Sequence, residues 1–292
     1  MSGLTAPILM MLFANFLFAL SDSAAKWVVL AGTPVVQIVF VRYFFHLGIS
    51  SVQSGFLGLD WNAVGRNWKF LFLRSAALVL STIANFIALR YLSLSVTASI
   101  MFCAPIIVCL ISTLFLGETI GRWRWLAVYA GFAGVLLIVR PEGEFHPATL
   151  LSLAAATGLA IYALFTRKLS GDLRPHELQF FSGLLGTVGL AGIAVFVWEP
   201  VSFEILGLML WTGFAAWLGH EFLTHAHNFA SAAVLMPFFY SLLIFMTLLD
   251  IVIYHNVPDF MTILGALIIM LSGLTIWFRE QKKSNKNWRL YN

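Results

Sequence analysis

Charged residues are scarce in this chain. Lys, Arg, Asp and Glu make up 10% of its 292 residues, whereas the hydrophobic types make up 60%. A soluble domain carries about 25% charged residues. A chain with so few charges cannot cover its own surface with polar groups, so we expect lipid to solvate much of it. This composition excludes an ordinary soluble globular protein.

Cysteine is equally scarce. The chain has two, Cys103 and Cys109, which lie six residues apart on one predicted helix and face different sides at different heights. A disulfide between them is therefore geometrically poor. The sequence also has no cluster of His, Cys, Asp and Glu with metal-ligand spacing. We expect no disulfide, no metal and no cofactor.

Several motifs of enzymes and ATPases are missing. There is no G-x-x-x-x-G-K-[ST] loop for ATP, and His220 and Glu221 are adjacent rather than spaced as in H-E-x-x-H. We predict no catalytic residues. The pI of about 9.2 reflects basic loops, so we expect no nucleic-acid partner. The N-terminal apolar run has no positive n-region, so we expect no cleavable signal peptide.

Long apolar runs, in contrast, fill the chain. Each is about twenty residues long, which is enough to cross a hydrocarbon core of ~30 Å as a helix. Spanning segments must satisfy their own backbone polar groups, and these are too long for barrel strands, so they are helices. The stretch 54–68 is predicted to lie at the membrane interface, with Trp61 and Trp68 at headgroup depth. The ten predicted spans are 7–28, 34–53, 69–91, 94–116, 122–140, 147–167, 175–198, 205–227, 230–253 and 259–279. The predicted fold class is an all-α integral membrane protein with ten transmembrane helices.

The basic residues predict the orientation. If both termini lie on one side, most of the 17 Lys and Arg residues lie on that side too. The opposite side holds Lys26, Arg90 and Arg140. By the positive-inside rule we predict a multi-pass protein of the cell inner (plasma) membrane with both termini in the cytoplasm. The basic residues assigned to the cytoplasmic side are Arg66, Lys69, Arg74, Arg122, Arg124, Arg167, Lys168, Arg174, Arg279, Lys282, Lys283, Lys286 and Arg289.

A diverged internal repeat divides the chain. In residues 98–141, two apolar runs flank a short polar hinge, and a second copy of this pattern lies at 232–280, with Pro105 matching Pro237. With five spans in each half, the first half starts inside and the second outside, so the repeats are inverted. Inverted repeats that hold a substrate near the midplane are typical of alternating-access transporters. The predicted domains are 1–141 for the first repeat, 142–280 for the second, and 281–292 for a basic cytoplasmic tail that we expect to be frayed.

The order of these motifs resembles the drug/metabolite transporter superfamily, in its EamA branch. The motifs are Pro105, Leu116-Gly117-Glu118, Arg122-Trp123, Gly134-Val135-Leu136 and Arg140-Pro141 in the first copy, and Pro237, Tyr240 and Val257-Pro258-Asp259 in the second. The chain departs from the family at His255-Asn256, where the second repeat usually has Gly-Glu. The resemblance covers nearly the whole chain and implies a permease.

The substrate class follows from the resemblance and from the composition. The family includes exporters of amino acids and other metabolites, and importers of vitamins such as riboflavin. Aromatic residues make up 15% of the chain, and a site lined with rings suits a flat solute. We therefore predict a secondary transporter of a ring-bearing metabolite, an aromatic amino acid or a vitamin such as riboflavin. An integral-membrane enzyme and a non-transporting scaffold remain the alternatives. The partners are the small-molecule substrate and membrane lipid; a proton or counter-substrate, and a second copy in a homodimer, are further candidates.

Polar groups inside the spans are the candidate site. A charge at the bilayer centre costs ~2.5–3.5 kcal/mol, so each one present needs an explanation. Asn15 and Asp22 share a helix face and could line a cavity, or Asp22 could form an ion pair with Lys26. Arg42 could hold a substrate carboxylate, neutralise Asp22 or serve as a helix-packing anchor. The predicted substrate-binding residues are Asn15, Asp22, Arg42, Asn85, Tyr162, Trp217, His220 and Tyr240.

Other in-span residues receive structural interpretations. Glu118 precedes Arg122 by four residues, which favours a helix-end role. Asp250 has no obvious partner in the sequence. His220 and Glu221 form a His-Glu pair that could also titrate. Small residues allow helices to approach closely, and this is the role predicted for Gly131, Gly134, Gly265 and Gly273.

Overall fold

The computed structural model of the protein describes residues 2–104, 106–108, 110–111, 122–139, 146–229, 235 and 238–291. Within these ranges the chain forms ten helices and no strand, which confirms the predicted helical class. The helices are α1 (Ser2–Leu30), α2 (Val35–Leu57), α3 (Trp61–Leu89), α4 (Leu94–Met101), α5 (Arg122–Val139), α6 (Ala148–Leu169), α7 (Pro175–Phe196), α8 (Phe203–Phe229), α9 (Ser241–Tyr254) and α10 (Phe260–Tyr291).

Several helices are membrane-spanning by length and apolarity. Five of them, in α1, α2, α3, α6 and α7, meet both criteria, and shorter apolar stretches occur in α5, α9 and α10. Large apolar side chains cover the outside of the bundle; Phe196 and Phe203 are 89% and 94% exposed. Such a surface is stable in lipid and not in water. The protein is therefore a multi-pass membrane protein.

The connection between α2 and α3 differs from the prediction. Helix α2 extends to residue 57 and α3 begins at Trp61, so the expected interfacial stretch 54–68 is mostly helix. Gly58 ends α2 with a positive φ of 74°, a conformation that glycine adopts without a steric penalty. The Asp60 carboxylate then caps α3 by accepting hydrogen bonds from two backbone N–H groups at 3.0 Å. Trp61 and Trp68 remain exposed on the first turns of α3.

The end of the chain also differs from the prediction. The tail after Arg279 was expected to fray, but the backbone of α10 remains helical to Tyr291. Residues 279–291 contain neither glycine nor proline, the two residues that most strongly disfavour a helix interior. The expectation of a frayed tail was therefore wrong.

The two halves of the chain interlock. The most extensive contacts join α1 to α8, α3 to α6, α2 to α7 and α5 to α10, and each of these pairs takes one helix from each half. Helix α9 packs on α1 and α4, while α4 also packs on α6. The halves are therefore not two separate bundles, and any space at the centre is enclosed by helices of both.

Glycines allow the tightest of these approaches. Where α5 crosses α10, a Cβ on Gly134 would lie 2.8 Å from the Gly265 carbonyl oxygen, and a Cβ on Gly265 would lie 2.6 Å from the Gly134 carbonyl oxygen. Any larger residue would push these helices apart. The packing role predicted for this pair is confirmed, and Gly131 and Gly273 are equally crowded, against Ile106 and Tyr240.

Candidate functional site

A wide cavity opens at the end of the bundle where α1, α3 and α9 end. Its volume is about 650 Å³, which lies within the range of small-molecule sites, ~300–1,000 Å³. We call it the vestibule. Its wall combines basic, aromatic and hydroxyl groups, and includes Lys26, Tyr91, Ser95, His146, Tyr254 and Asn256.

A second, much smaller cavity lies deeper in the bundle. Its volume is about 60 Å³, too little for an organic metabolite. We call it the inner pocket. Helices α1, α3, α4, α6 and α9 all contribute to its wall, so both halves of the chain enclose it. Its wall is formed by Asp22, Asn85, Thr97, Ala98, Met101, Phe102, Leu159, Phe239, Leu242 and Met246.

Asp22 and Asn85 form the polar side of the inner pocket. The Asn85 amide nitrogen donates a hydrogen bond to the Asp22 carboxylate at 3.1 Å, which joins α1 to α3. Asp22 is half-buried, whereas Asn85 is buried. The carboxylate therefore retains acceptor capacity that a solute could use. Two residues predicted from the sequence as a polar site thus meet at one cavity.

Arg42 projects from α2 toward these groups. Its Nη1 donates to the Ser21 hydroxyl at 2.9 Å, and its guanidinium lies over the Phe86 ring at 5.3 Å. Among the described residues this is the one hydrogen bond that Arg42 makes, although a guanidinium carries five N–H donors. The half-buried side chain is free to bind another acceptor.

Arg74 is a buried residue whose contacts the sequence analysis did not predict. It is 2% exposed inside α3. Its guanidinium donates to Thr166 Oγ1 at 2.8 Å, to the Leu178 carbonyl at 2.9 Å, to Ser182 Oγ at 2.8 Å and to Tyr162 OH at 3.0 Å. Thr166 lies near the end of α6 and Leu178 near the start of α7, so Arg74 joins α3 to the α6–α7 connection. The hydroxyl of Tyr162, a predicted substrate contact, is therefore occupied.

The sequence also missed an ion pair between the halves. Lys26 Nζ lies 3.5 Å from Asp250 Oδ1, and both residues are almost completely buried. The alternative pairing of Lys26 with Asp22 was wrong, because Asp22 bonds to α3 while Lys26 reaches α9. Lys26 also donates to the Leu92 carbonyl at 3.1 Å. The one available signal was a lone acid inside the apolar helix α9, which had no partner in its own sequence neighbourhood.

Asp250 has a full set of partners in the structure. Its Oδ2 accepts from the Ser95 backbone N–H at 3.0 Å and from the Ser95 hydroxyl at 2.8 Å. Its Oδ1 accepts from the Asn256 amide at 3.3 Å in addition to facing Lys26. A buried carboxylate is tolerated when it is paired and hydrogen-bonded in this way. The carboxylate thereby ties α9 to α1 and α4.

Comparison with known proteins identifies this architecture. The sequence profile described as the EamA-like transporter family matches residues 5–140. Residues 5–140 thus resemble the EamA-like transporter family. The resemblance proposed from the motifs is thus confirmed.

Several curated proteins are similar to this chain over almost its full length. A riboflavin transporter of Vibrio cholerae is 27% identical over 95% of both chains. An S-adenosylmethionine uptake transporter of Rickettsia conorii is 25% identical over 93% of this chain and 94% of its own. A pseudopaline exporter of Pseudomonas aeruginosa is 25% identical over 94% of this chain and 96% of its own.

A solved structure shares the fold. One crystal structure, described simply as that of a protein, aligns with a TM-score of 0.60 and 15% identity over 95% of this chain and 98% of that one. At this identity the similarity establishes the helical architecture alone. The helical fold of this chain therefore has an experimental counterpart.

Two further predicted site residues make packing contacts. The Asn15 amide donates to the Phe238 carbonyl and to Ser241 Oγ, both at 3.0 Å, and so holds the start of α9. Tyr240 is 7% exposed, with its ring 5.0 Å from that of Phe102. Neither residue lines the vestibule or the inner pocket, and the same is true of Arg42, Trp217 and His220.

His220 and Trp217 face the interior from α8. The His220 ring packs edge-on against Phe18 with centroids 5.0 Å apart. Glu221 faces His225 at 4.0 Å, so the predicted His220–Glu221 pair does not form. The Trp217 indole N–H is buried and has no acceptor among the described residues, which leaves a donor that a solute could satisfy.

Some predicted features lie outside the described residues. They are the hinge with Glu118, the repeat prolines Pro105 and Pro237, Cys109 and Arg140.

Proposed function

We propose that this chain is a secondary transporter that moves a small, ring-bearing organic metabolite across the inner membrane by alternating access. An aromatic amino acid and a vitamin such as riboflavin are the solutes to test first, and the riboflavin transporter of V. cholerae supports that choice. The transporter names of the relatives argue against an enzyme.

The observation that carries this proposal is the pair of cavities. The vestibule and the inner pocket are lined by neighbouring turns of α1 and α4, and in the inner pocket a carboxylate and an amide face a wall of apolar and aromatic groups. A membrane protein places polar groups at depth where they line a solute pathway. A pocket of about 60 Å³ must widen to admit a metabolite, as an alternating-access site does when it opens.

The helix packing supports two inverted repeats, residues 1–141 and 142–280, with the tail 281–292. If each helix is replaced by the one five places along the chain, contact α1–α8 becomes α6–α3, and α1–α9 becomes α6–α4. Contacts α2–α7, α4–α9 and α5–α10 map onto themselves. Such an exchange is expected of halves related by a two-fold axis in the membrane plane. With ten crossings both termini lie on one side of the membrane, and the distribution of basic residues predicts that this side is the cytoplasm.

Within this proposal Arg42 and Asp22 bind the solute. The guanidinium has unused donors, the carboxylate has unused acceptors, and both side chains are half-buried. Trp217 and His220 supply a donor and a ring face on α8. Asn15, Tyr162 and Tyr240 act instead by positioning α9 and Arg74.

A thermal-shift screen on purified protein tests the proposal, followed by flux measurements in proteoliposomes. A solute that binds the folded state raises the apparent Tm. We expect a ring-bearing metabolite to raise it and then to enter vesicles chemically unchanged, as mass spectrometry would verify. Chemical conversion of the solute would instead indicate an enzyme. No binding and no flux across a broad metabolite set would favour a scaffold.

A further inference from the structure

We propose that the buried ion pair Lys26–Asp250 is the outer gate of the pathway and closes the inner pocket off from the vestibule. The assignment rests on the transport function proposed above, since a gate needs a solute to pass. Lys26 and Asp250 lie outside the predicted solute site, and access of a reagent to the inner pocket can be measured without any solute.

The first argument is position along α1 and α4. On α1, Lys26 lines the vestibule and Asp22, one turn deeper, lines the inner pocket. On α4, Ser95 lines the vestibule and Ala98 lines the inner pocket. One helical turn rises about 5.4 Å, so the partition between the two cavities is one layer of side chains thick.

Helix α9 repeats this order from the other half of the chain. Tyr254 lines the vestibule, Met246 lines the inner pocket, and Asp250 lies midway between them. The Asp250 carboxylate is bonded to Lys26 of α1 and Ser95 of α4. Three helices thus place the ion pair at one level, between the two cavities.

The second argument is what the layer holds together. The Tyr254 hydroxyl donates to the Ser23 carbonyl, and the Lys26 ammonium lies 4.6 Å from the centre of the Tyr254 ring. Together with the bonds from Asp250 to Lys26 and Ser95, these contacts join α9 of the second half to α1 or α4 of the first. A solute that passes from the vestibule to Asp22 must part α9 from α1 and α4, and this breaks the ion pair.

A gate and a purely structural ion pair make opposite predictions. A structural ion pair would remain intact in every state, so removing its charges would destabilise the fold without opening a route to the inner pocket. A gate is broken in the open state, so removing its charges raises the population of that state. Access to the inner pocket from the vestibule side separates the two cases.

The experiment measures that access with a membrane-impermeant thiol reagent added outside intact cells. The full-length protein carries Cys103→Ala and Cys109→Ala, with Ala98→Cys as the reporter in the inner pocket. Val257→Cys lies on the vestibule wall and is 76% exposed, so its reaction rate shows whether the reagent reaches the vestibule. The gate variant is Lys26→Met with Asp250→Asn. The matched control is Glu177→Gln, which neutralises another buried carboxylate, in an ion pair with Arg174 at 2.9 Å far from the vestibule.

With the native gate, we expect the reporter at position 98 to react much more slowly than the one at 257. Because the minor open state of such a protein is typically about 0.1–10% populated, gate neutralisation has room to raise the rate at position 98 by about tenfold or more. The rate at 257 and the rate in the Glu177→Gln control should not change. If the double variant does not fold, Asp250→Asn alone is used, since it preserves size.

An unchanged rate at position 98 in a folded gate variant would overturn the proposal. So would equal rates at 98 and 257 with the native gate, because the pocket would then already be open. Loss of flux without any change in access would refute the gate while leaving the transport function intact. If gate neutralisation changed the rate at position 98 in a protein that moves no solute, the gate would be supported and the transport function refuted.

Discussion

Two arginines on neighbouring helices show how the same side chain is used in two ways inside this bundle. Arg74 of α3 is 2% exposed and donates hydrogen bonds to four oxygens of α6 and α7. Arg42 of α2 is half-buried and donates one hydrogen bond among the described residues. The protein occupies four of the five donors of the first guanidinium, which acts as a packing group. The second has more unused donors, as the proposed binding role requires.

The surroundings of the two residues explain the difference. Arg74 lies where α3, α6 and α7 meet, and a stretch rich in hydroxyls, with Tyr162, Thr166 and Ser182, supplies its acceptors. Arg42 lies where α2 passes α1, with Ser21 as its acceptor and the Phe86 ring beneath it. Depth in the membrane therefore does not distinguish a solute ligand from a structural charge, whereas the count of satisfied donors does.

Arg74→Met should have the largest effect on stability. The variant loses four hydrogen bonds from a charged donor, so we expect the apparent Tm in detergent to fall by about 5–10 °C. Differential scanning fluorimetry measures it. Arg74→Lys is the matched control and should recover part of the loss, because it keeps the positive charge but lacks the planar, five-donor geometry of the guanidinium. A Tm unchanged in Arg74→Met would mean that Arg74 is not a packing group.

Arg42→Ala should have the largest effect on flux. We expect uptake in proteoliposomes to fall about 10- to 100-fold, the cost of a charge-assisted contact, while the apparent Tm changes by less than about 2 °C. Arg42→Lys should retain intermediate uptake. Normal uptake in Arg42→Ala would remove this residue from the solute site.

Asp22→Asn should reduce uptake less than Arg42→Ala does. The variant keeps its size and can still bond to Asn85, so it loses the charge alone, and we expect a fall of about fivefold to tenfold. Asn85→Ala, in the same flux assay, serves as the comparison because it removes the neighbour and leaves the carboxylate. Equal uptake by Asp22→Asn and the native protein would show that the carboxylate does not face the solute.

His220→Ala should have the smallest effect of the series. Its ring contributes a packing face beside Phe18, and losing such a contact should lower uptake about two- to fivefold with the protein still folded. His225→Ala, whose side chain is 59% exposed, is the control and should transport normally. A loss shared by both variants would point to α8 as a whole.

Much of the fold could be predicted from single segments. Apolar runs of helical length gave helices at the predicted places, because a chain in lipid must satisfy its own backbone. The boundary near Asp60 was wrong, since polar residues in 54–68 suggested a surface stretch although they continue two helices.

The site was harder to predict than the fold, for a physical reason. Asp22 and Asn85 were recognised because polar groups in apolar spans are conspicuous one at a time. The pairing of Lys26 with Asp250 joins residues more than two hundred positions apart, so only the packing of α1 on α9 reveals it. The number of unused hydrogen-bond donors on a residue such as Arg42 also depends on neighbours from other helices, so one segment of sequence does not reveal it.

Solute counterflow tests the central claim most directly. Proteoliposomes loaded with unlabelled solute, chosen by the thermal-shift screen, receive a trace of the labelled form outside. A site that faces one side at a time exchanges the two, so the label should rise transiently above its equilibrium level and then decline. A monotonic approach to equilibrium, or no entry at all, would contradict alternating access through a pocket shared by the two halves.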